Sequence, residues 1–89
     1  MVLEGKIAVV TGAGGLIGRH IAKTLASDGA DIVVNDMVEQ TAKQTAEEIE
    51  AMGRQALVTI GSVAKAEDVD AMVEAALERF GRIDIMVNN

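Results

Sequence analysis

The sequence predicts an α/β fold built on a parallel sheet of four strands. Four short apolar runs alternate with three segments of helical periodicity along the 89 residues, and this alternation is typical of parallel strands joined by helices. The strand-like runs are apolar at consecutive positions, as expected for strands that are covered on both faces. A glycine-rich run, TGAGGLIG at 11–18, joins the first strand to the first helix.

The predicted elements follow one another at short intervals. Strands are predicted at 6–10, 31–35, 55–59 and 82–87, and helices at 16–28, 39–52 and 65–80. Three glycines follow the predicted helices and suit the left-handed conformation that ends a helix; they are Gly29, Gly53 and Gly81. The second helix carries a stripe at helical spacing that we expect to face the core. This stripe consists of Val38, Ala42, Thr45, Ile49 and Met52.

Composition excludes several classes of function. The 14 acidic and 8 basic residues give a net charge of −6, and we expect no nucleic-acid partner because phosphate backbones require a basic surface. The chain has no cysteine and one histidine, so we expect no disulfide, no thiolate nucleophile and no metal site. No apolar run approaches the ~20 residues of a membrane span, and the first residues are unlike a signal peptide. We therefore expect a cytoplasmic protein without a membrane contact.

The glycine-rich run is the first candidate for a binding site. Gly12 permits a sharp turn, Gly14 and Gly15 permit a close approach of the backbone to a ligand, and Gly18 permits close packing of helix against strand. Unpaired N–H groups at the start of a helix attract phosphate. A strand, this loop and a helix in succession therefore predict a pyrophosphate site. The alternative is a flexible strand-to-helix turn without a ligand.

Asp36 is the second candidate. It follows the second predicted strand, about 20 residues beyond the loop, where a carboxylate can accept hydrogen bonds from both hydroxyls of an adenosine ribose. The same carboxylate repels a 2′-phosphate, and the next residue, Met37, is uncharged. The sequence therefore favours NAD over NADP. The alternative is an aspartate that stabilises a turn or caps a helix.

Ser62 and Val63 follow the third predicted strand. The carboxyl ends of parallel strands face the ligand crevice, so Ser62 can contact the edge of an adenine while Val63 packs against its ring. A simple turn is the alternative for these two residues. His20 falls in the first predicted helix without a catalytic partner nearby in sequence, and we interpret it as a surface or boundary residue.

Together, these motifs resemble the short-chain dehydrogenase/reductase family. The resemblance rests on TGAGGLIG after the first strand, Asp36 after the second, and RFGRIDIMVNN at 79–89. It covers the whole chain, and implies that residues 1–89 are the N-terminal dinucleotide-binding part of the family domain. The implied fold is a Rossmann-like, three-layer βαβαβαβ arrangement with strand order 3-2-1-4, incomplete relative to the family. The complete family domain transfers hydride between NAD and an alcohol or a carbonyl compound.

The sequence departs from the family pattern at two positions. Single-domain members usually read TGxxxGxG, which requires glycine where this chain has Leu16, and the glycine spacing here instead fits TGxxGxxG. Ser62 stands where the family often has an aspartate against the adenine amino group. By similarity, Asn88 lies near the adenosine ribose. The full set of predicted cofactor-binding residues is Gly12, Gly14, Gly15, Leu16, Ile17, Gly18, Asp36, Met37, Ser62, Val63 and Asn88.

The resemblance also limits the activity that is expected of this chain. Family chemistry uses a tyrosine as general acid and base, a lysine that lowers the pKa of this tyrosine, and a serine that binds the substrate carbonyl. The chain contains no tyrosine, so we predict no catalytic residue in it and expect it to be inactive alone. The expected function is the NAD-binding part of an oxidoreductase. The alternatives are a non-enzymatic nucleotide-binding or self-associating module, and a half that needs a partner to fold.

The strand order implies association between copies. With right-handed crossovers, the first two helices share one face of the sheet and the third helix lies alone on the other. We expect this single helix to leave part of its face exposed, and the fourth strand to present an open edge. Both features favour association, so a homo-oligomer is predicted, most simply a dimer.

A substitution at Ala64 tests where the third helix begins. Ala64 precedes Glu67 by three residues, the spacing of a capping box in which serine or threonine is preferred. We predict that Ala64→Ser raises the free energy of unfolding by about 1 kcal/mol. An unchanged or lower melting temperature would count against this placement of the cap.

Overall fold

A parallel four-stranded sheet forms the centre of this computed structural model, which describes all residues from 1 to 89. The strands are β1 (Ile7–Val10), β2 (Asp31–Asp36), β3 (Ala56–Ile60) and β4 (Ile85–Val87). The helices are α1 (Leu16–Ser27), α2 (Glu39–Ala51) and α3 (Ala66–Phe80). The sheet order is β3-β2-β1-β4 with all neighbours parallel, so the predicted fold and strand order are confirmed. The largest boundary error is at β4, which begins at Ile85 rather than at 82.

Two apolar clusters fasten the helices to the sheet. On one face, alanines of α1 and α2 pack with Ile49 against the strands, and this face buries Val10, Ile32 and Val34. Small side chains on both helices allow their backbones to approach the sheet closely, which preserves dense packing. On the other face, α3 packs Met72 against the strands. None of the three helices has the length and apolar character needed to cross a bilayer.

The α3 face is better covered than we expected from the sequence. Val9 and Val33 on the two central strands are 0% exposed, because Met72 and Ala76 of α3 pack directly against them. The expectation of an open face is therefore wrong for the centre of the sheet. It holds at the margin, where Met86 of β4 is 42% exposed. β4 has β1 as its single neighbour, so its outer edge is open.

The glycines that were predicted to end the helices all have positive φ. Gly81 is the clearest case: it caps α3 at φ 79°, and its N–H donates to the carbonyl of Leu77. A residue with a Cβ is strained in this conformation. These glycines therefore fix where the helices stop and where the chain turns back toward the sheet.

The start of α3 differs from its predicted position. The N-cap is Lys65, in an extended conformation and without a side-chain cap. Ala64 lies one residue outside the helix, and its N–H already donates to Ser62 Oγ at 3.1 Å. The prediction that Ala64→Ser caps this helix is therefore wrong in position, because the helix starts one residue later than the sequence pattern indicated.

The corrected cap leads to a matched pair of variants. Lys65→Ser places a hydroxyl where it can accept the N–H of Glu67, which donates to no other protein atom, and we expect the free energy of unfolding to rise by about 1 kcal/mol. For a domain of this size that corresponds to a melting temperature higher by roughly 4–8 °C. Ala64→Ser is the control, and its effect should stay within about 0.5 kcal/mol. Thermal unfolding of both variants checks the result; equal shifts would contradict the observed N-cap.

Asp84 fastens the start of β4 to β1. Its Oδ2 accepts the N–H of Ile7 at 2.9 Å, and its own N–H donates to the carbonyl of Ile7 at 2.9 Å. Arg82 forms an ion pair with the same carboxylate. The hydrogen bond from Arg82, followed by that from the Ile7 N–H, lowers the pKa of Asp84 below its ordinary value of 3.8. The ionised carboxylate is therefore the form that holds the open-edge strand in place.

The lowered pKa gives a definite pH dependence. A carboxyl whose pKa is lower in the folded state contributes stability that is present above its unfolded pKa and lost as the pH falls through its folded pKa. We expect Asp84→Asn to lower the free energy of unfolding near pH 7 and to reduce its further loss below about pH 4. Asp70→Asn, at an exposed position in α3, is the control. Urea unfolding at several pH values checks this, and an unchanged acid dependence in Asp84→Asn would refute the role of this carboxylate.

Candidate functional site

A cleft of about 340 Å³ lies at the carboxyl ends of β1, β2 and β3. It is the place where loops following three neighbouring strands converge, which is the position of ligand sites in open parallel sheets. No lysine, arginine or histidine lines it. The lining residues are Thr11, Gly12, Asn35, Asp36, Met37, Val38, Gly61, Ser62, Val63, Ala64 and Asn89.

The start of α1 carries three N–H groups without an acceptor in the protein. The N–H of Arg19 donates to the carbonyl of the N-cap residue Gly15, whereas the N–H groups of Leu16, Ile17 and Gly18 donate to no protein atom. Leu16 and Ile17 are 88% and 69% exposed, so solvent reaches this helix end. Free N–H groups at a helix start bear partial positive charge. The arrangement is suited to an anion with several oxygens, such as a diphosphate.

The first turns of the three helices differ in charge. α1 has no acidic residue in its first turn and no side-chain cap, whereas α2 has Glu39 there and α3 has Glu67 and Asp68. Carboxylates in a first turn satisfy the helix dipole from within the protein. At α1 no carboxylate in the first turn satisfies the dipole.

Close contacts explain two of the loop glycines. A Cβ at Gly18 would lie 2.1 Å from the carbonyl oxygen of Gly12, and a Cβ at Gly14 would lie 2.5 Å from Thr41 Oγ1. Glycine at 18 thus brings α1 against the end of β1, as predicted. Glycine at 14 brings the loop against the start of α2, which the sequence did not indicate. A Cβ at Gly15 would meet the Gly12 carbonyl oxygen at 3.5 Å, an ordinary contact.

Asp36 lies at the end of β2 and contacts two loops at once. Its Oδ2 accepts the N–H of Gly14 at 2.9 Å, and its Oδ1 accepts the N–H of Val38 at 3.0 Å. An ionised carboxylate has about four acceptor sites, so both oxygens can accept further hydrogen bonds from a ligand in the cleft. The residue is half-buried. Asp36 can therefore stabilise this turn and still accept hydrogen bonds from a ligand.

A residue of α3 fixes the loop that forms the third side of the cleft. Asp68 Oδ2 accepts the N–H of Ser62 at 2.9 Å, and Ser62 Oγ accepts the N–H of Ala64. The Ser62 hydroxyl proton is thus free to be donated toward the cleft. Val63 is 55% exposed and Met37 is 70% exposed. Two apolar side chains and one hydroxyl at the mouth of a cleft suit a planar, partly polar ring.

The chain after β4 completes the cleft beside Gly12. The N–H of Asn89 donates to Thr11 Oγ1 at 3.1 Å, and Asn89 Nδ2 donates to the carbonyl of Gly12 at 3.4 Å. Thr11 Oγ1 in turn donates to the carbonyl of Val87 at 3.3 Å. Asn88 is exposed and is not among the lining residues. Of the two asparagines, Asn89 is therefore the one that the structure brings to the cleft.

The structure places the predicted site residues other than Asn88 in two neighbouring groups. Gly12, Asp36, Met37, Ser62 and Val63 line the cleft. Gly14, Gly15, Leu16, Ile17 and Gly18 form the loop and helix start beside it. Sequence reasoning missed several lining residues because they are strand ends or small loop residues that have no chemical signature of their own. These are Thr11, Asn35, Val38, Gly61, Ala64 and Asn89.

The cations nearest to the loop along α1 are already paired. Arg19 and Lys23 both contact Glu48 of α2, at 2.6 Å and 2.8 Å. The hydrogen bond from Lys23, followed by that from Arg19, lowers the pKa of Glu48 below its ordinary value of 4.5. These two cations therefore join α1 to α2, and the groups at the start of α1 that are free to bind an anion are backbone N–H groups.

Comparisons with a family profile, with known sequences and with solved structures agree with one another. A family profile described as short chain dehydrogenase matches residues 6–89. Over 98% of its length the chain is 49% identical to the short chain dehydrogenase/reductase astE of Aspergillus oryzae, of which it covers 34%. Its structure is similar to the crystal structure of hydroxysteroid dehydrogenase from Escherichia coli, with a TM-score of 0.94 and 38% identity over 98% of this chain and 37% of that one.

A second solved structure is similar over the whole chain. NAD+-bound xylitol dehydrogenase has a TM-score of 0.97 and 32% identity, and the match covers 100% of this chain and 34% of that one. The chain thus spans about a third of the length of the relatives that it matches.

The contacts of Gly18 and Gly15 predict a large loss of stability for an added methyl group at the first and a small loss at the second. Gly18→Ala forces α1 away from the Gly12 carbonyl, and we expect the free energy of unfolding to fall by about 2–3 kcal/mol. Gly15→Ala adds the same group at an ordinary contact distance and without a positive φ. We expect it to cost less than about 1 kcal/mol. Chemical denaturation of both variants decides the matter; equal losses would contradict the observed approach of α1 to β1.

Proposed function

Because the chain belongs to the short chain dehydrogenase family, we propose that it forms the NAD-binding portion of an oxidoreductase. The reaction of the complete domain is hydride transfer between NAD and an alcohol or a carbonyl compound. The observation that carries this proposal is the group of three unpaired N–H donors at the start of α1, beside a cleft that contains a carboxylate. One end of this site suits a diphosphate, and the other suits a ribose hydroxyl pair.

The residues present fit the adenine, the adenosine ribose and the diphosphate of a dinucleotide. The N–H groups of Leu16, Ile17 and Gly18 bind the diphosphate oxygens. Asp36 accepts hydrogen bonds from the adenosine ribose, since its oxygens retain acceptor sites beyond those used by Gly14 and Val38. Ser62 donates to the adenine edge. Bound NAD supplies the nicotinamide ring that accepts or gives up hydride; the residues described here bind and orient the dinucleotide.

The charge of the cleft supports NAD over NADP. Asp36 stands where the ribose is proposed to bind, and its carboxylate repels a 2′-phosphate. Recognition of that phosphate needs a nearby cation, and no basic residue lines the cleft. Arg19 and Lys23 on α1 are both engaged by Glu48. The site therefore attracts the free hydroxyl pair and disfavours the phosphorylated ribose.

Self-association is the second part of the proposal. The open edge of β4 and the exposed side chain of Met86 provide the contact, since unpaired strand edges and apolar surface favour association. We propose a dimer formed through this edge. A module that associates in this way but does not bind nucleotides is the alternative function, and one titration distinguishes the two.

Calorimetric titration with NAD and NADP tests the cofactor assignment. The wild-type chain should bind NAD more tightly than NADP. Asp36→Ala removes charge-assisted hydrogen bonds worth about 1.5–3 kcal/mol, so NAD should bind roughly 10- to 100-fold more weakly. The affinity for NADP should not fall, because the repulsion is removed together with the hydrogen bonds. Asp70→Ala removes the same charge from an exposed site on α3, and should leave both affinities unchanged.

The same samples, measured by light scattering, give the oligomeric state. If neither NAD nor AMP binds at millimolar concentration while a dimer forms, the non-enzymatic alternative replaces the proposal. A monomer that binds NAD retains the cofactor assignment and refutes the dimer. Equal weakening of NAD by Asp36→Ala and Asp70→Ala would show that net charge, rather than a contact of Asp36, governs binding.

A further inference from the structure

The peptide between Ala13 and Gly14 is held at both of its polar groups. Its carbonyl, on Ala13, accepts a hydrogen bond from Thr45 Oγ1 at 2.9 Å. Its N–H, on Gly14, donates to Asp36 Oδ2 at 2.9 Å. The carbonyl and the N–H of a trans peptide point in opposite directions within one rigid plane, so the two partners hold this peptide from opposite edges. The orientation of this plane therefore links Thr45 to Asp36.

Thr45 is an unusual residue for its position. It is 0% exposed and lies on the face of α2 that also buries Ala42, Ala46 and Ile49. A buried hydroxyl lowers stability unless it is hydrogen-bonded, and a threonine inside a helix commonly bonds to the carbonyl four residues earlier. Thr45 instead donates to Ala13, 32 residues away in sequence. Valine would fill the same space, so the hydroxyl is explained by this one hydrogen bond.

The neighbouring contacts leave the loop little freedom on this side. The N–H of Ala13 donates to the carbonyl of Asn35 at 2.9 Å, and Ala13 itself is 0% exposed. Gly14 lies so close to α2 that an added Cβ would lie 2.5 Å from Thr41 Oγ1. The second strand and helix thus fix residues 13 and 14, and the hydroxyl of Thr45 is the side-chain donor that sets the rotation of the peptide between them.

We infer that Thr45 is a positioning residue for Asp36, the carboxylate that is proposed to bind the cofactor. By holding the Ala13 carbonyl, it directs the Gly14 N–H at Asp36 and so fixes the carboxylate in the orientation that accepts the ribose hydroxyls. The inference rests on the proposed function, because Thr45 acts on the same site through the peptide between Ala13 and Gly14 rather than by contact with the cofactor. Without the hydroxyl, the Ala13 carbonyl is left buried and unpaired, and the rotation of the peptide is no longer held at its carbonyl.

A double-mutant cycle separates this role from a general effect on packing. Thr45→Val should weaken NAD binding by about 5- to 20-fold in the wild-type background, and Thr45→Ser, which retains the hydroxyl, should restore most of the affinity. In an Asp36→Ala background, Thr45→Val should have no further effect, because its influence passes through Asp36. Thr24→Val is the matched control: Thr24 is exposed and its hydroxyl bonds to the carbonyl of His20 in its own helix.

Each outcome of the cycle decides the inference. NAD affinity within twofold of wild type in Thr45→Val overturns it, as does an equal weakening in the Asp36→Ala background. If the wild-type chain binds no NAD, the proposed function fails, and hydrogen exchange of the Gly14 amide then tests the peptide contact by itself. Exchange should be faster in Thr45→Val than in Thr45→Ser; equal rates overturn the inference whatever the ligand result.

Discussion

The approach of α1 to the end of β1 is the constraint on which the binding site depends. Gly18 lies so close to the Gly12 carbonyl that an added Cβ would be 2.1 Å from its oxygen. Because of this contact, α1 begins beside the carboxyl end of β1, next to the cleft at the ends of β1, β2 and β3. A larger residue at 18 would move the helix start away from the carboxylate at the end of β2. The proposal that the backbone donors and Asp36 belong to one site depends on this contact between helix and strand.

Asp36 combines an observed structural role with the ribose-binding role that we propose for it. The sequence allowed two interpretations, a turn-stabilising aspartate and a ribose-binding aspartate. The structure shows the first directly, in the hydrogen bonds from Gly14 and Val38. These bonds also orient the carboxylate and leave it acceptor sites for a ligand, as the second requires. Holding a binding group with backbone donors before the ligand arrives lowers the entropy lost on binding.

The fold was predictable from the sequence because its signals are local. Apolar runs, helical spacing and terminal glycines each report on a few neighbouring residues, and right-handed crossovers then restrict the strand order. The positions of the loop and of Asp36 were predictable for the same reason, since glycine spacing and one strand-end acid are visible without tertiary contacts; their role in binding stays a prediction.

Features that depend on distant contacts were missed. Thr45 belongs by spacing to the core stripe of α2, and nothing in the sequence separates its hydroxyl from the alkyl groups around it. Asn89 could not be distinguished from Asn88 without knowing which one turns toward Thr11 and Gly12. The exposure of the α3 face was overestimated. The prediction used the number of helices and took no account of how Met72 and Ala76 fit on the central strands.

Amide chemical shifts of the 15N-labelled chain test the central claim most directly, with inorganic pyrophosphate and NAD added separately. Backbone donors at the start of α1 are predicted to bind the diphosphate, so both ligands should shift the amides of Leu16, Ile17 and Gly18 most strongly. NAD should in addition shift the amides of Gly14 and Ser62. Shifts that are confined to the backbone amides of surface lysines and arginines, or the absence of any shift at about 10 mM ligand, would contradict the account.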